Sequence, residues 1–188
     1  MLACLLPQAS CASLQVPAGM PSIENAIAVE TEASDVQLTA VAFSGAEQYL
    51  ELFDDNLPEI GLVATRITLR NESSQPLEIP SKPWALQIGD RQFKALDVEA
   101  LLENYYKGRQ IRMYTVQADE TARLGILKLL FTPGQLPPKT SRDGLAFFKL
   151  DANHLTRWPA GAILLSKMLR LADGRKISLE LAFSHATP

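Results

Sequence analysis

Cysteine is almost missing from this 188-residue chain: Cys4 and Cys11 are its two thiols, and none follows the eleventh position. A core disulfide, a thiolate-bound zinc and a catalytic cysteine are therefore excluded from the rest of the chain. Histidine is equally scarce, with His154 and His185 alone, and no local cluster of His, Cys and carboxylates has metal-ligand spacing. Neither a Gly-rich phosphate loop nor a Gly-x-Ser-x-Gly elbow occurs. No apolar run approaches the roughly 18 to 20 residues of a membrane-spanning helix. Excess positive charge is lacking too: 18 Lys and Arg against 21 Asp and Glu give a net charge of −3, which offers no electrostatic reason to bind nucleic acid. Like charges form no run long enough for an acidic tail or a polybasic membrane patch. No cofactor is expected.

What remains is an ordinary globular composition, 47% apolar and 21% charged, sized for one domain with a substantial core. Residues 1–12 read as the remnant of an export signal, a short apolar piece followed by Pro7 and small residues, with Ser10 and Ala12 satisfying a small-x-small cleavage rule. Cys4 after Leu2-Ala3, and Cys11 after Ala9-Ser10, are candidate lipidation sites, which would tether the chain to a membrane. Residues 13–34 carry Pro17, Gly19 and Pro21 without periodicity and read as a linker, with an extended piece at Ile27 to Val29. The domain is expected over 35–184.

Val36, Leu38, Ala40 and Ala42 alternate as a strand. Ser44-Gly45-Ala46-Glu47 has the form of a capping box, and Ala46, Tyr49, Leu50 and Phe53 give the following helix an apolar face. Asp54-Asp55-Asn56 lacks the spacing of a calcium loop and reads as a solvated helix exit. Residues 60–71 form the central strand, alternating through Arg66, Ile67, Thr68, Leu69 and Arg70. Asn71-Glu72-Ser73 matches a glycosylation sequon, but its Asn and Ser are explained by the turn that ends the strand. Short strands follow around Leu77–Ile79 and in a hairpin over 84–96. Trp84, set between prolines, is read as a core or core-edge residue rather than a ligand platform.

Asp97 is a good N-cap for a helix through Val98, Leu101, Leu102, Tyr105 and Tyr106, ending near Gly108. Residues 109–131 fit either helix or strand. The middle excursion, residues 97–135, is the expected contact surface, since long insertions on a sandwich are more often functional than scaffold. Its candidate partner-binding residues are Tyr105, Tyr106, Arg109, Arg112, Ile126, Leu129, Leu130 and Phe131. Leu145 to Leu150 is a deep strand, and Ile163–Leu171 with Lys176–Phe183 is a hairpin. Seven to nine short strands with two or three short helices give a mainly β fold, and the immunoglobulin-like antiparallel sandwich fits it best.

Tyr49-Leu-Glu-Leu-Phe53, Asn56-Leu57-Pro58-Glu-Ile-Gly61, the strand ending in Asn71-Glu-Ser73, Leu136-Pro137-Pro138 and Gly144-Leu-Ala-Phe-Phe148 carry a resemblance over about residues 36–183. The sequence resembles a family of uncharacterised bacterial envelope proteins, many of them lipoproteins, with an Ig-like domain. The resemblance implies that fold and an exported, periplasmic or membrane-anchored location, and it brings no catalytic residues to transfer.

The remaining catalytic candidates are thin. His154 with Ser141 or Ser166 lacks any motif; Asp119-Glu120, and Asp54-Asp55 with Glu51, are carboxylate pairs that exposed turns also produce. The expectation is a non-catalytic exported module that binds an envelope protein or serves a structural role. The alternative is a small-ligand carrier or hydrolase with a pocket between the 97–135 excursion and the sandwich, and a pocket holding His154, Asp119 or Glu120 would favour it. An exposed apolar ridge from Ile126 to Phe131 would favour the first reading.

Overall fold

The computed structural model describes residues 14–20, 27–43, 45–111, 115–151, 158–166 and 169–183. Their strands are β1 (Ile27–Ala33), β2 (Val36–Ala42), β3 (Leu62–Asn71), β4 (Leu77–Ile79), β5 (Trp84–Ile88), β6 (Arg91–Lys94), β7 (Gly134–Leu136), β8 (Thr140–Lys149), β9 (Ile163–Ser166), β10 (Leu169–Leu171), β11 (Lys176–Ile177) and β12 (Glu180–Ala182). The helices are α1 (Ala46–Phe53), α2 (Val98–Gly108) and α3 (Val116–Leu129), with a 3-10 turn at Leu57–Ile60.

All strand ladders are antiparallel, in sheets ordered β1-β2-β3-β8, β11-β10-β4-β7 and β12-β9-β5-β6. The second and third sheets are successive halves of one bent layer. β4 and β5 lie on one track interrupted by Pro80 and Pro83, which cannot donate to a ladder; β10 and β9 share another, as do β11 and β12. At one break Ser166 N–H donates to the Leu179 carbonyl at 2.8 Å, and the Ser166 hydroxyl accepts from Leu179 N–H at 2.7 Å. Seven to nine strands were expected, and the described residues form twelve because these tracks are broken. The C-terminal hairpin is present but shared between both halves.

β3 and β8 are ten residues long and pair along their whole length. Because side chains alternate, each strand feeds two cores. Val63, Ile67, Leu69, Ala146 and Phe148 pack against Trp84, Leu86, Leu164 and Leu181 of the bent layer. Leu62, Ala64, Leu145 and Phe147 pack under the helices, with Phe53, Leu101, Tyr105 and Ile126. The molecule is thus mainly β and sandwich-like, with helices as a third layer over one sheet.

Several sequence expectations change. The stretch expected as a linker, 13–34, contains β1, paired with β2 from Ile27 opposite Ala42 to Ala33 opposite Val36. Its earlier part also joins the core, with Leu14 buried under the helices. Alternation in 27–33 is weak because β1 is an edge strand with little of its surface covered. α1 is N-capped by Gly45 without a side-chain cap, one residue later than the capping box implied; Ser44 lies outside the described residues. Gly108 is the last residue of α2 but not a left-handed cap, a conformation taken by Gln110; glycine suits position 108 because an added Cβ would stand 2.8 Å from Ile60 Cβ. The open question over 109–131 resolves as helix from Val116, its N-cap Thr115 accepting from Ala118 N–H at 3.1 Å.

Candidate functional site

Both ends of the helical excursion are fastened to neighbouring carbonyls on the free edge of β8. Leu96 N–H donates to Phe147 O at 2.8 Å before α2, and Phe131 N–H donates to Leu145 O at 2.9 Å after α3. The second attachment fixes Gly144: a Cβ there would lie 2.3 Å from Phe131 Cα, so only glycine admits the crossing chain. Gly144 is the first residue of the Gly-x-x-Phe-Phe pattern, which places a structural reason under that motif.

The notch between the two attachments is a cavity of about 270 Å³. Leu145 and Ala146 line it from β8, Leu96 and Val98 from the entry to α2, Leu127, Leu130 and Phe131 from the end of α3, and Pro83, Trp84 and Ala95 from the bent layer. Trp84 is 1% exposed and meets Phe131 edge to face at 5.1 Å between ring centroids. Its indole N–H is buried without a hydrogen-bond partner. The charged residues of the lining, Lys82 and Asp97, pair with each other at 2.8 Å. Asp97 also caps α2 by accepting from Ala100 N–H at 2.9 Å, as expected. The hydrogen bond from Lys82, then that from Ala100, holds the Asp97 carboxyl below the usual carboxylate range. Ser81, Thr132 and Pro133 complete the lining.

The residues expected to form a partner surface mostly face inward, which corrects that expectation. Tyr105, Tyr106, Ile126, Leu129 and Phe131 are buried, and Leu130 is half-buried. The aromatic and apolar periodicity that suggested an exposed patch is the inner stripe of α2 and α3. Arg109 reaches across to the α1 exit: its guanidinium donates to Asp55, to Glu59 at 2.5 Å and to the Asn56 carbonyl at 2.8 Å. Tyr105 O–H donates to Asp55 at 2.8 Å, and burial, reinforced by that bond, pushes its phenol well above the ordinary value. Arg112 and His154 lie outside the described residues, as do Cys4 and Cys11.

Of the carboxylates considered for acid–base work, Asp55 and Asp119 are tied into the scaffold, while Glu51 and Asp54 are exposed. Asp55 belongs to the Arg109 clasp. Asp119 accepts from Tyr106 O–H at 3.0 Å and Arg123 at 3.1 Å, joining α3 to α2; Glu120 is exposed. Ser166 holds the β9 break, and Ser141 is exposed on β8. Among the described residues no three His, Cys, Asp or Glu side chains are grouped to hold a metal ion, and no helix is long and apolar enough to cross a membrane.

Asn71 is heavily hydrogen-bonded. Fully buried, its Nδ2 donates to the carbonyls of Gln75 (2.7 Å), Leu136 (3.2 Å) and Pro137 (3.2 Å), while its Oδ1 accepts from Ser73 N–H at 3.1 Å. The Asn-x-Ser turn and the Leu-Pro-Pro turn, separate in sequence, interlock here. Sequence reading identified the turn but had no signal for its distant partner. The notch was legible only as the cluster of Pro83, Trp84 and the apolar run 125–131; Leu127, half exposed at its mouth, carried no distinguishing mark.

No family model matches this chain, and no curated protein matches it. Among solved structures, it is similar to a putative lipoprotein (ycdA) from Bacillus subtilis, at 12% identity and a TM-score of 0.41, over 84% of this chain and 39% of that one. It is also similar to a functionally unknown protein from Listeria monocytogenes, at 8% identity and a TM-score of 0.44, over 90% of this chain and 89% of that one. The chain therefore spans well under half of the Bacillus protein's length.

Proposed function

We propose that this chain is a non-catalytic module exported to the bacterial envelope, an Ig-like sandwich whose task is binding, and that it binds at the notch beside Trp84. One observation carries the reading: the cavity is walled by apolar side chains, and the charged pair at its rim neutralises itself. Such a lining offers free energy of burial at roughly 25 cal/mol per Å² of apolar surface but no free acid, base or nucleophile with a partner to activate it. The location, between the 97–135 excursion and the sandwich, supports the carrier half of the alternative reading; neither Asp119 nor Glu120 lines it. Leu124 and Leu127, about half exposed on α3, supply the apolar surface that protein binding would use. Export is supported by the signal-like residues 1–12 and the lead-ins to Cys4 and Cys11.

Two measurements test this. Intact mass of the protein from its host's envelope fraction, expressed with its upstream region, should show a processed chain, with acyl mass if Cys4 or Cys11 is lipidated. An unprocessed cytosolic chain would overturn the location. Titration with toluene, a neutral single ring, followed in a ¹H–¹⁵N spectrum, should give saturable binding to the folded protein that weakens on Leu127→Glu. Binding that ignores this substitution would remove the notch as the site.

A further inference from the structure

We infer that β1 is a docking edge for an extended segment of a partner protein, which adds to the sheet as a further strand and carries Lys or Arg at alternate positions. This surface is separate from the notch and does not depend on it.

The edges of the three sheets are unequal. The free edge of β8 is covered where the excursion crosses it: Leu96 and Phe131 donate to its carbonyls, and Arg142 folds back onto the carbonyls of Thr132, Pro133 and Gln135. The edge strands of the bent layer are short, four residues in β6, three in β7 and β12, and two in β11. Keeping edges short or covered is how natural sheets avoid pairing with other chains. β1 has neither protection. It runs seven residues without proline, its register to β2 unbroken from Ile27 to Ala33. Among the described residues no strand pairs with its other side.

The ladder fixes which backbone groups are left over. Phe43 N–H donates to Ala64 O, and Glu72 N–H donates to Asp35 O. The odd-numbered residues of β2 therefore exchange hydrogen bonds with β3, and the even-numbered ones with β1. Opposite those even-numbered residues stand positions 27, 29, 31 and 33. The N–H and C=O groups of Ala28, Glu30 and Glu32 thus point away from β2, at the spacing another strand takes up.

Side chains choose the occupant. Glu30 and Glu32 are exposed beside these groups, while Val29 and Ala33 are half-buried at the margin of the sandwich core. β1 holds no cation, and the residues of β2 opposite the two carboxylates are the neutral Thr39 and Gln37. A strand with Lys or Arg opposite Glu30 and Glu32 gains an ion pair with each, and apolar residues between those cations extend the cover over Val29 and Ala33. A second copy of this chain is disfavoured, because antiparallel pairing centred on Glu30 sets the two Glu30 carboxylates opposite each other. The charges that keep copies apart are the ones a basic strand needs.

The probe is the peptide acetyl-Thr-Val-Lys-Val-Lys-Val-Thr-amide. One control replaces both Lys by Glu, and another methylates the backbone nitrogens of both Lys. In a ¹H–¹⁵N spectrum of the full chain, millimolar Lys peptide should move the signals of residues 28–32 saturably and slow hydrogen exchange at Ala28, Glu30 and Glu32. The Glu peptide should bind at least about fivefold more weakly, its cross-strand charge pairs having turned repulsive, and the methylated peptide should not bind. Glu30→Lys combined with Glu32→Lys, both at exposed positions, should reverse the preference between the Lys and Glu peptides with the melting temperature nearly unchanged. Equal binding of those two peptides would overturn the basic partner. Methylated peptide binding as tightly as its parent would overturn strand addition, leaving ion pairing alone. Movement of the β1 signals with protein concentration alone would make a second copy the occupant, and β1 signals that ignore the Lys peptide would overturn the inference outright.

Discussion

The two faces of β3 and β8 bury comparable apolar side chains, but against different materials. On one face Val63, Ile67, Leu69 and Phe148 meet another β layer; on the other, Leu62, Ala64, Leu145 and Phe147 meet helices and a 3-10 turn. Sheet against sheet brings two regular surfaces together, and their side chains interdigitate. Helices crossing a sheet leave wedges wherever their connections enter and leave. The 270 Å³ notch sits at such a place, between the Leu96 and Phe131 attachments. One face thus supplies cohesion, and the other supplies both cohesion and a cavity.

Substitutions should break this comparison in a definite order. Phe148→Ala, on the sheet-facing side and fully buried, should cost about 3–5 kcal/mol in urea unfolding. A loss under about 1 kcal/mol would mean that face is loosely packed. Asn71→Ala removes the buried side chain that joins the Ser73 turn to the Leu136-Pro137 carbonyls. Stranding those partners should cost roughly 2–3 kcal/mol, measured in the same way, and local hydrogen exchange at Ser73 should rise.

On the helical side, the Tyr49 hydroxyl oxygen accepts from Ala64 N–H at 2.8 Å, beyond the end of β2. Burial pushes the Tyr49 phenol well above its ordinary value, and the Ala64 bond pulls partly back. Tyr49→Phe leaves that N–H buried and unpaired, so a loss of about 1–3 kcal/mol is expected. A neutral result would show that water reaches Ala64, and that the helical layer opens more readily than the sandwich.

The smallest effect belongs to the notch rim. Asp97 titrates lower folded than unfolded, so its contribution is present above the ordinary carboxylate value and fades as pH falls through the folded value. Asp97→Asn keeps a good cap and removes only the charge. The variant should be less stable at neutral pH by under about 1 kcal/mol, the pair being half exposed. The two proteins should converge as pH falls through the lowered folded-state value of the wild-type carboxyl, where it takes up its proton. A gap that stayed constant with pH would assign the difference to the cap instead.

Much of the secondary structure was legible. The strand expected over 60–71 is β3 from Leu62, Ile60 ending the 3-10 turn before it; alternation from Val36 placed β2, Gly89 turned the β5–β6 hairpin, and Asp97 marked the start of α2. These signals are local: a period, a cap, a turn. Position within the fold was not. Tyr105, Tyr106, Ile126 and Leu129 have the right spacing for one helical face, but spacing does not say whether that face meets solvent or a sheet. β1 was read as linker because an edge strand pairs with one neighbour and, with its side chains exposed or only half-buried, needs little apolar patterning.

By itself the sequence determined the mainly β character, the strand turns, the α2 cap and the scarcity of thiols and imidazoles for chemistry, because these follow from residue type and short-range periodicity. Only the tertiary structure decided that one sheet carries two cores, that Asn71 holds a turn 65 residues away, that Gly144 admits a crossing chain, and that a notch opens beside Trp84. Each depends on segments distant in the chain meeting at a few ångströms, and neither the period nor the composition of either segment encodes where the other will lie.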